Sequence, residues 1–233
     1  MSLRRRLPPQ WLTLESNKAA ASTIAITITC TAGAPTVAWR VLDGGQIYEY
    51  SGDALSHVVQ VGPCKIEARI ASKHITGIDF NNQYITKFKH LKKCVSLLGI
   101  YGWSNLDLRI DLSDLPQTLD YLNMGNCPLV GGDIADLSSQ LTYLDIWGSL
   151  QSTGADISHM IYIVAIHLQD QFMSQSRVNG VIQDIYDHKD EFTYATPSLN
   201  VDGNNAAPDA EHIALIEELV ADYSWTISYT LPS

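Results

Sequence analysis

The chain has 233 residues, of which 45 % are apolar and 17 % charged, and 25 acidic against 15 basic residues give a net charge of −10. This length allows one large or two small domains that bury a core without disulfide or metal support. The acidic balance excludes nucleic acid as a partner, because phosphate binding requires a concentrated basic face. No segment has the roughly eighteen consecutive apolar residues that suggest a membrane span.

Residues 1–22 are predicted to form an N-terminal arm. Its only basic cluster is the run of three arginines at residues 4–6. We interpret this run as a solvated tail rather than an anchor on an anionic surface. The next segment, residues 23–30, alternates apolar and polar side chains, which is typical of a strand and not of a signal-peptide core.

Residues 23–72 are predicted to form a small all-β cap. Apolar side chains recur with a period of two in the runs 24–30, 37–41 and 66–70. Turn-forming segments separate these runs, and one of them, Asp43 followed by two glycines, is typical of a β-hairpin turn. The spacing predicts a small antiparallel sandwich. Its pattern resembles the immunoglobulin-like caps that precede some repeat arrays.

The four cysteines do not settle the redox compartment. They are Cys30, Cys64, Cys94 and Cys127. Cys30 and Cys64 either bridge two strands of the cap in an exported protein or are two reduced, buried thiols, and both interpretations stay open.

From residue 73 the chain repeats itself. Residues 119–129 fit the pattern L-x-x-L-x-L-x-x-N/C-x-L at every defined position, with Met124 in place of one leucine. Similar strand segments precede and follow it at intervals of 20, 24, 22, 22 and about 33 residues. The segments between the strands also match, 129–134 with 150–157 and 115–119 with 137–141. Self-similarity of this kind is the signature of a repeat architecture.

Residues 73–233 therefore resemble the leucine-rich repeat family, in the irregular form seen in bacterial surface proteins and some phage proteins. The resemblance implies an α/β fold, an elongated solenoid of about six repeats with a parallel sheet, preceded by the small all-β sandwich. Ser149 and Gln171 stand where the family has Asn or Cys, so a regular asparagine ladder is not expected. Asn204 is assigned to the ladder position of the last repeat.

The C-terminal part of the repeat region contains the clearest helix. Residues 208–221 place Pro208 in the first turn and Asp209 and Glu211 near the positive end of the helix dipole. Residues 225–229 alternate again and are predicted to form a closing strand. A second helix is predicted at residues 181–189, where the repeat interval lengthens.

No enzyme motif is present. The sequence lacks a phosphate-binding loop, a G-x-S-x-G elbow, H-E-x-x-H and C-x-x-C, and its seven histidines lack metal-ligand spacing. We therefore expect no enzyme activity, no cofactor and no metal. One alternative is an enzyme with a cryptic acidic site formed by Asp145 and His167.

The repeat register predicts a binding face. The x positions of the strand motif project from the concave side of the sheet. The alignment places Asp79, Gly99, Asn123, Asp145, His167 and Asn200 in its central row. The predicted ligand-binding residues on this side are Tyr101, Tyr121, Asn123, Tyr143, Asp145, Trp147, His167 and Gln169. A register error of one residue would move these side chains into the core.

Aromatic side chains flanked by hydrogen-bonding groups are typical of recognition surfaces. We therefore predict a non-enzymatic binding or adhesion module that recognises a protein or a carbohydrate on the concave face. The resemblance favours an exported, cell-surface or phage-particle location over a cytoplasmic one. One alternative is a structural component of a surface or phage assembly. A simpler interpretation is that the tyrosines only raise strand propensity and pack against one another. The oligomeric state is not predicted.

Overall fold

The computed structural model describes residues 11–148 and 156–232. The arginines at residues 4–6 and Ser149 lie outside these ranges. Within them the chain forms sixteen strands and two α-helices. The strands are β1 (Leu12–Ser16), β2 (Thr23–Cys30), β3 (Ala38–Asp43), β4 (Gln46–Ser51), β5 (Ala54–Val58), β6 (Cys64–Arg69), β7 (Ile75–Asp79), β8 (Ile85–Lys89), β9 (Gly99–Tyr101), β10 (Ile110–Asp111), β11 (Tyr121–Asn123), β12 (Leu129–Gly131), β13 (Tyr143–Asp145), β14 (Ala165–His167), β15 (Ser198–Val201) and β16 (Thr226–Tyr229). The helices are α1 (Gln175–Asp187) and α2 (Ala210–Tyr223).

Five strands form an antiparallel sheet in the order β4-β3-β6-β1-β8. In its central strands β3 and β6 every second side chain is buried, as the period-two pattern predicts. Trp39 on β3 is one of the largest fully buried side chains, and its indole N–H donates to the Gly52 carbonyl at 2.6 Å.

Nine strands form a mixed sheet in the order β16-β15-β14-β13-β11-β9-β7-β2-β5. Seven strands of this sheet pair in parallel, namely β7, β9, β11, β13, β14, β15 and β16. Strand β2 is antiparallel to both β7 and β5. One register row of this sheet is apolar and buried. It consists of Ile78, Ile100, Leu122, Leu144, Ile166 and Leu199.

The predicted α/β leucine-rich-repeat solenoid with a parallel sheet, preceded by a separate sandwich, is wrong. The described residues are mostly β, the long sheet is mixed, and β2 and β5 from the predicted cap belong to that same sheet. The short return segments form 3-10 turns such as Leu112–Asp114 and Ile134–Asp136. Helix α1 lies in the longer interval between β14 and β15. The other intervals of about 22 residues are too short to hold a helix of this length together with their strands and turns.

Strand pairing and packing cross the predicted boundary between residues 72 and 73. Strand β7 pairs with β2 on one side and β9 on the other, and β8 pairs with β1. The buried apolar residues form one continuous cluster that extends from Leu12 to Trp225. The division into 1–22, 23–72 and 73–233 stays a prediction.

Two buried asparagines hold successive turns together. The Asn105 side-chain oxygen accepts from the N–H groups of Gln83 and Ile85, and its amide donates to the carbonyls of Phe80 and Gly102. Asn205 makes the same kind of bonds near the C-terminus, where its oxygen accepts from the N–H groups of residues 171 and 173. Buried backbone groups at the turns thereby gain partners.

The ladder position of the last repeat is therefore Asn205, and the prediction of Asn204 is wrong. The backbone N–H of Asn204 donates instead to Asp170. Cys127 and Gln171 lie between these two asparagines in the sequence and also donate to backbone carbonyls. The Cys127 thiol donates to Gly102 at 3.1 Å, and the Gln171 side-chain amide donates to Ile146.

Several local predictions are confirmed. Strands β3 and β4 form a hairpin in which Asp43 pairs with Gln46, and Gly44 and Gly45 fill the two-residue turn with positive φ angles. Helices occur near both predicted positions, and β16 provides the closing strand. Asp209 is the N-cap of α2, so Pro208 precedes the helix and does not lie in its first turn.

Candidate ligand-binding face

The predicted site residues lie on the side of the nine-stranded sheet opposite the buried row. Tyr101, Asn123, Asp145 and His167 are register partners across β9, β11, β13 and β14. Tyr121 and Tyr143 form the neighbouring row. We call the surface formed by Tyr101, Tyr121, Tyr143, Trp147 and His167 the tyrosine face.

The predicted register of β9 is wrong by two residues. Tyr101, not Gly99, lies in the central row beside Asn123, and Gly99 lies beside Tyr121. Because a shift of two preserves the alternation of a strand, Tyr101 keeps its predicted side of the sheet.

Three tyrosine rings stack in series across the strands. The ring centroids of Tyr101 and Tyr121 are 4.5 Å apart at an interplanar angle of 24°, and those of Tyr121 and Tyr143 are 4.4 Å apart at 3°. Gly99 permits this arrangement, since a Cβ atom there would lie 3.1 Å from the Tyr101 ring. Aromatic pairs of this geometry contribute beyond their buried area.

His167 ends the stack. Its ring meets the Tyr143 ring edge-on at a centroid distance of 5.4 Å, and its Nδ1 lies 3.4 Å from the Tyr143 hydroxyl and 3.6 Å from an Asp145 oxygen. Burial, followed by the nearby charge of Asp145, raises the pKa of Tyr143 well above its usual range. Burial also raises the pKa of Tyr101. Both phenols are therefore neutral hydrogen-bonding groups at physiological pH.

The polar residues of the central row are partly used by the fold. The side-chain oxygen of Asn123 lies 3.4 Å from the Gly125 backbone nitrogen, and that of Asp145 lies 3.4 Å from the Trp147 nitrogen. Asn200 accepts in the same way at the end of β15. Local bonds from Asx side chains to the backbone two residues later are typical of turns. Asp145 is also buried, which limits its exposure to a ligand.

Trp147 and Gln169 follow the ends of their strands. The indole of Trp147 covers Gly125 so closely that a Cβ there would clash with it, and the side chain is half-buried. The Gly148 N–H donates to the Gln169 backbone carbonyl, which continues the parallel pairing. The buried side-chain oxygen of Gln169 has no hydrogen-bond partner among residues 11–148 and 156–232.

A second polar cluster, which the sequence did not predict, lies in the N-terminal half. His57 is buried, with Nε2 3.1 Å from an Asp43 oxygen and Nδ1 2.7 Å from the Tyr50 hydroxyl. The Asp43 carboxylate also accepts from the backbone N–H groups of residues 60, 61 and 62. Burial alone would raise the pKa of Asp43, but these bonds together hold it far below its usual value.

The ligand atoms of Asp43, His57 and Cys64 lie within 4.8 Å of one another, as in a metal site. Their chemistry does not fit an open coordination site. The Asp43 oxygens and both His57 nitrogens already have partners, and burial raises the pKa of the Cys64 thiol to about 11. Metal binding requires the thiolate form, which is scarce at neutral pH under these conditions. All four cysteines, including Cys30, are free thiols in this structure.

The fold and this face define a mostly β protein with an aromatic surface on a mixed sheet. No family model matches the chain, and no curated protein matches it. The chain is similar to a solved structure described as the functional domain of InlJ from Listeria monocytogenes, which includes a cysteine ladder. The identity is 12 %, the TM-score is 0.26, and the match covers 74 % of this chain and 56 % of that one. This likeness is too weak to support an argument about fold or function, and membership of the leucine-rich repeat family is not shown. No helix in the described parts of the chain has the length and hydropathy needed to cross a membrane.

Proposed function

We propose that this protein is a non-enzymatic binding module that recognises a protein or a glycan through the tyrosine face. The observation that carries the proposal is the series of three stacked tyrosine rings on the side of the sheet away from the core, continued by His167. Aromatic side chains offer contact area at low cost in conformational entropy, and they are enriched in binding hot spots.

The stacking decides which atoms a ligand can reach. The facing sides of the rings are covered by the neighbouring rings, so their edges and hydroxyl groups are the accessible parts. Tyr101, at the end of the series, is 39 % exposed. The Nε2 atom of His167 has no hydrogen-bond partner in the described parts of the chain, and its side chain is 30 % exposed. Edges and hydrogen-bonding groups favour a polypeptide along the tyrosines, while the half-buried indole of Trp147 is the better candidate for contact with a sugar ring.

The proposed location is outside the cytoplasm, at a cell surface or on a phage particle. The support for it is the sequence pattern alone, since the free thiols of the structure do not require an oxidising compartment.

The experiment is a screen of a glycan array and a displayed peptide library with the wild-type chain. Each identified ligand is then titrated against the variants Tyr101→Ala and Trp147→Ala. The matched control is Tyr194→Ala, which removes a comparably exposed tyrosine outside the tyrosine face. Circular dichroism checks that each variant is folded.

A ligand that loses at least about tenfold in affinity with Tyr101→Ala or Trp147→Ala, and keeps it with Tyr194→Ala, supports the proposal, since hot-spot truncations cost about 2 kcal/mol or more. A ligand indifferent to both variants places the site elsewhere. The absence of any ligand, together with self-association that the variants do not change, contradicts the proposal and favours a structural component.

A further inference from the structure

A cavity of about 320 Å³ lies on the other side of the nine-stranded sheet from the tyrosine face. Ile100, which alternates with Tyr101 along β9, lines it together with Met124. The remaining walls come from β8 and the turn after it, and from the segment around β10. The volume is at the lower end of the range for small-molecule sites.

The interior of the cavity is apolar. Phe80, Leu108 and Leu115 line it and are buried, and the half-buried Phe88 and Leu91 complete it nearer the surface. The Phe80 and Phe88 rings meet edge-on at 4.6 Å and form one wall. An apolar ligand segment bound here would move from water to a surface with few polar groups. This transfer of apolar surface out of water is the favourable contribution to binding in such sites.

The rim carries positive charge on a protein whose total charge is strongly negative. Lys87, Lys92, Lys93 and Arg109 are exposed residues of the lining, against two aspartates, Asp111 and Asp114. The Asp111 carboxylate is occupied by the backbone and hydroxyl groups of Ser113. None of the four basic side chains forms an ion pair within residues 11–148 and 156–232, in contrast to the nearby Lys89, which pairs with Glu15 at 3.3 Å.

We propose that this cavity binds a small amphipathic carboxylate, with its apolar chain among the Phe80, Phe88 and Leu115 side chains and its carboxylate between Lys87 and Arg109. An apolar interior beneath unpaired cations matches both ends of such a ligand, and neither end of a sugar or a neutral peptide. This site is separate from the tyrosine face, so the two proposals can fail independently.

The probes are hexanoate, octanoate and octan-1-ol, titrated calorimetrically against the full chain. Octanoate is expected to bind about fifteenfold more tightly than hexanoate, because each buried methylene contributes about a fourfold gain. Octan-1-ol, which lacks the charge, is expected to bind more weakly than octanoate.

Three variants locate the ligand. The double variant Lys87→Gln with Arg109→Gln is expected to bind octanoate about tenfold more weakly and octan-1-ol with unchanged affinity. The reason is that two partly exposed ion pairs together contribute about a factor of ten in affinity. Lys89→Gln is the matched control and removes a lysine of the same strand that does not line the cavity. Leu91→Trp fills the outer part of the cavity and is expected to abolish binding of both probes, with folding checked by circular dichroism.

The proposal is overturned if octanoate does not bind at millimolar concentration, or if hexanoate and octanoate bind equally. It is also overturned if octan-1-ol binds as tightly as octanoate, or if Lys89→Gln weakens octanoate as much as the rim pair does. Unchanged binding to a folded Leu91→Trp variant would place the ligand outside the cavity and reject the assignment.

Discussion

Replacement of Asp43 by asparagine is expected to destabilise the protein strongly at neutral pH. One carboxylate oxygen lies 3.0 Å and 2.8 Å from the backbone nitrogens of residues 61 and 62, and the other lies 2.5 Å and 3.1 Å from the Gln60 nitrogen and His57 Nε2. Asparagine keeps one oxygen but places an NH₂ group against the second pair of donors. The buried Gln60 N–H then lacks a partner, and His57 either loses one or must change tautomer, at about 2 kcal/mol for each lost bond, so the free energy of unfolding falls by about 2–4 kcal/mol.

The same variant gives a signed pH dependence. The pKa of Asp43 in the folded protein lies below its ordinary value of about 3.8, so below that pH the unfolded chain binds a proton that the folded chain does not. The stability from this carboxylate is therefore fully present above about pH 4 and is lost as the pH falls toward the folded pKa. Between pH 5 and pH 2.8 the difference between wild type and Asp43→Asn is expected to shrink by about 1.4 kcal/mol.

Urea unfolding at pH 7, 5 and 2.8, followed by circular dichroism, measures both effects. Asp107→Asn is the matched control, because Asp107 is exposed and forms no hydrogen bond within the described ranges, and it is expected to change stability by less than about 0.5 kcal/mol. Equal losses in the two variants, or a wild-type advantage that grows on acidification, would refute the reasoning about the Asp43 network.

Three further predictions concern the turns and the tyrosine face. Asn105→Ala is expected to lower the free energy of unfolding by about 3 kcal/mol in urea, because buried backbone groups lose their partners; an effect below about 1 kcal/mol would contradict its role. Gly125→Ala is expected to displace the Trp147 indole, seen as a shift of its indole N–H resonance, and to cost about 1–3 kcal/mol through overpacking; an unchanged resonance would show that the indole does not cover this position. A double-mutant cycle on Tyr121→Ala and Tyr143→Ala is expected to give a coupling of about 1 kcal/mol in unfolding free energy, and additive effects would argue against the stack.

The side of the sheet on which each residue lies follows from the sequence, but its register does not. Side chains alternate with a period of two, so the apolar positions of residues 119–129 fix which face of β11 is buried. The strand segment near residue 95 lacks an obvious anchor, which led to the error of two residues at Tyr101. The sequence does contain the information that fixes this register. Asn105 lies 22 residues before Cys127, and an alignment of these two positions pairs Tyr101 with Asn123.

The fold class could not be obtained from repeat spacing. The resemblance implied an α/β fold, whereas the return segments contain short 3-10 turns that Asp111 and Asp133 cap by accepting backbone N–H bonds. The pairing of β2 with β7 joins residues far apart in sequence, and no local pattern encodes it. The Asp43 cluster could not be predicted from the sequence either, because its hydrogen-bond partners come from separate turns and strands.

The pairing of β1 with β8 has a consequence for the order in which the chain acquires its structure. Residue 14 lies opposite residue 88, so the five-stranded sheet reaches its full width only after a loop of more than seventy residues has closed. Contacts of such long sequence separation are entropically costly and slow to form. The strands from β9 to β14 instead each add to a neighbour about 22 residues away. During synthesis the five-stranded sheet therefore stays incomplete until β8 has emerged, while β9, β11, β13 and β14 each pair with a strand that has already been synthesised.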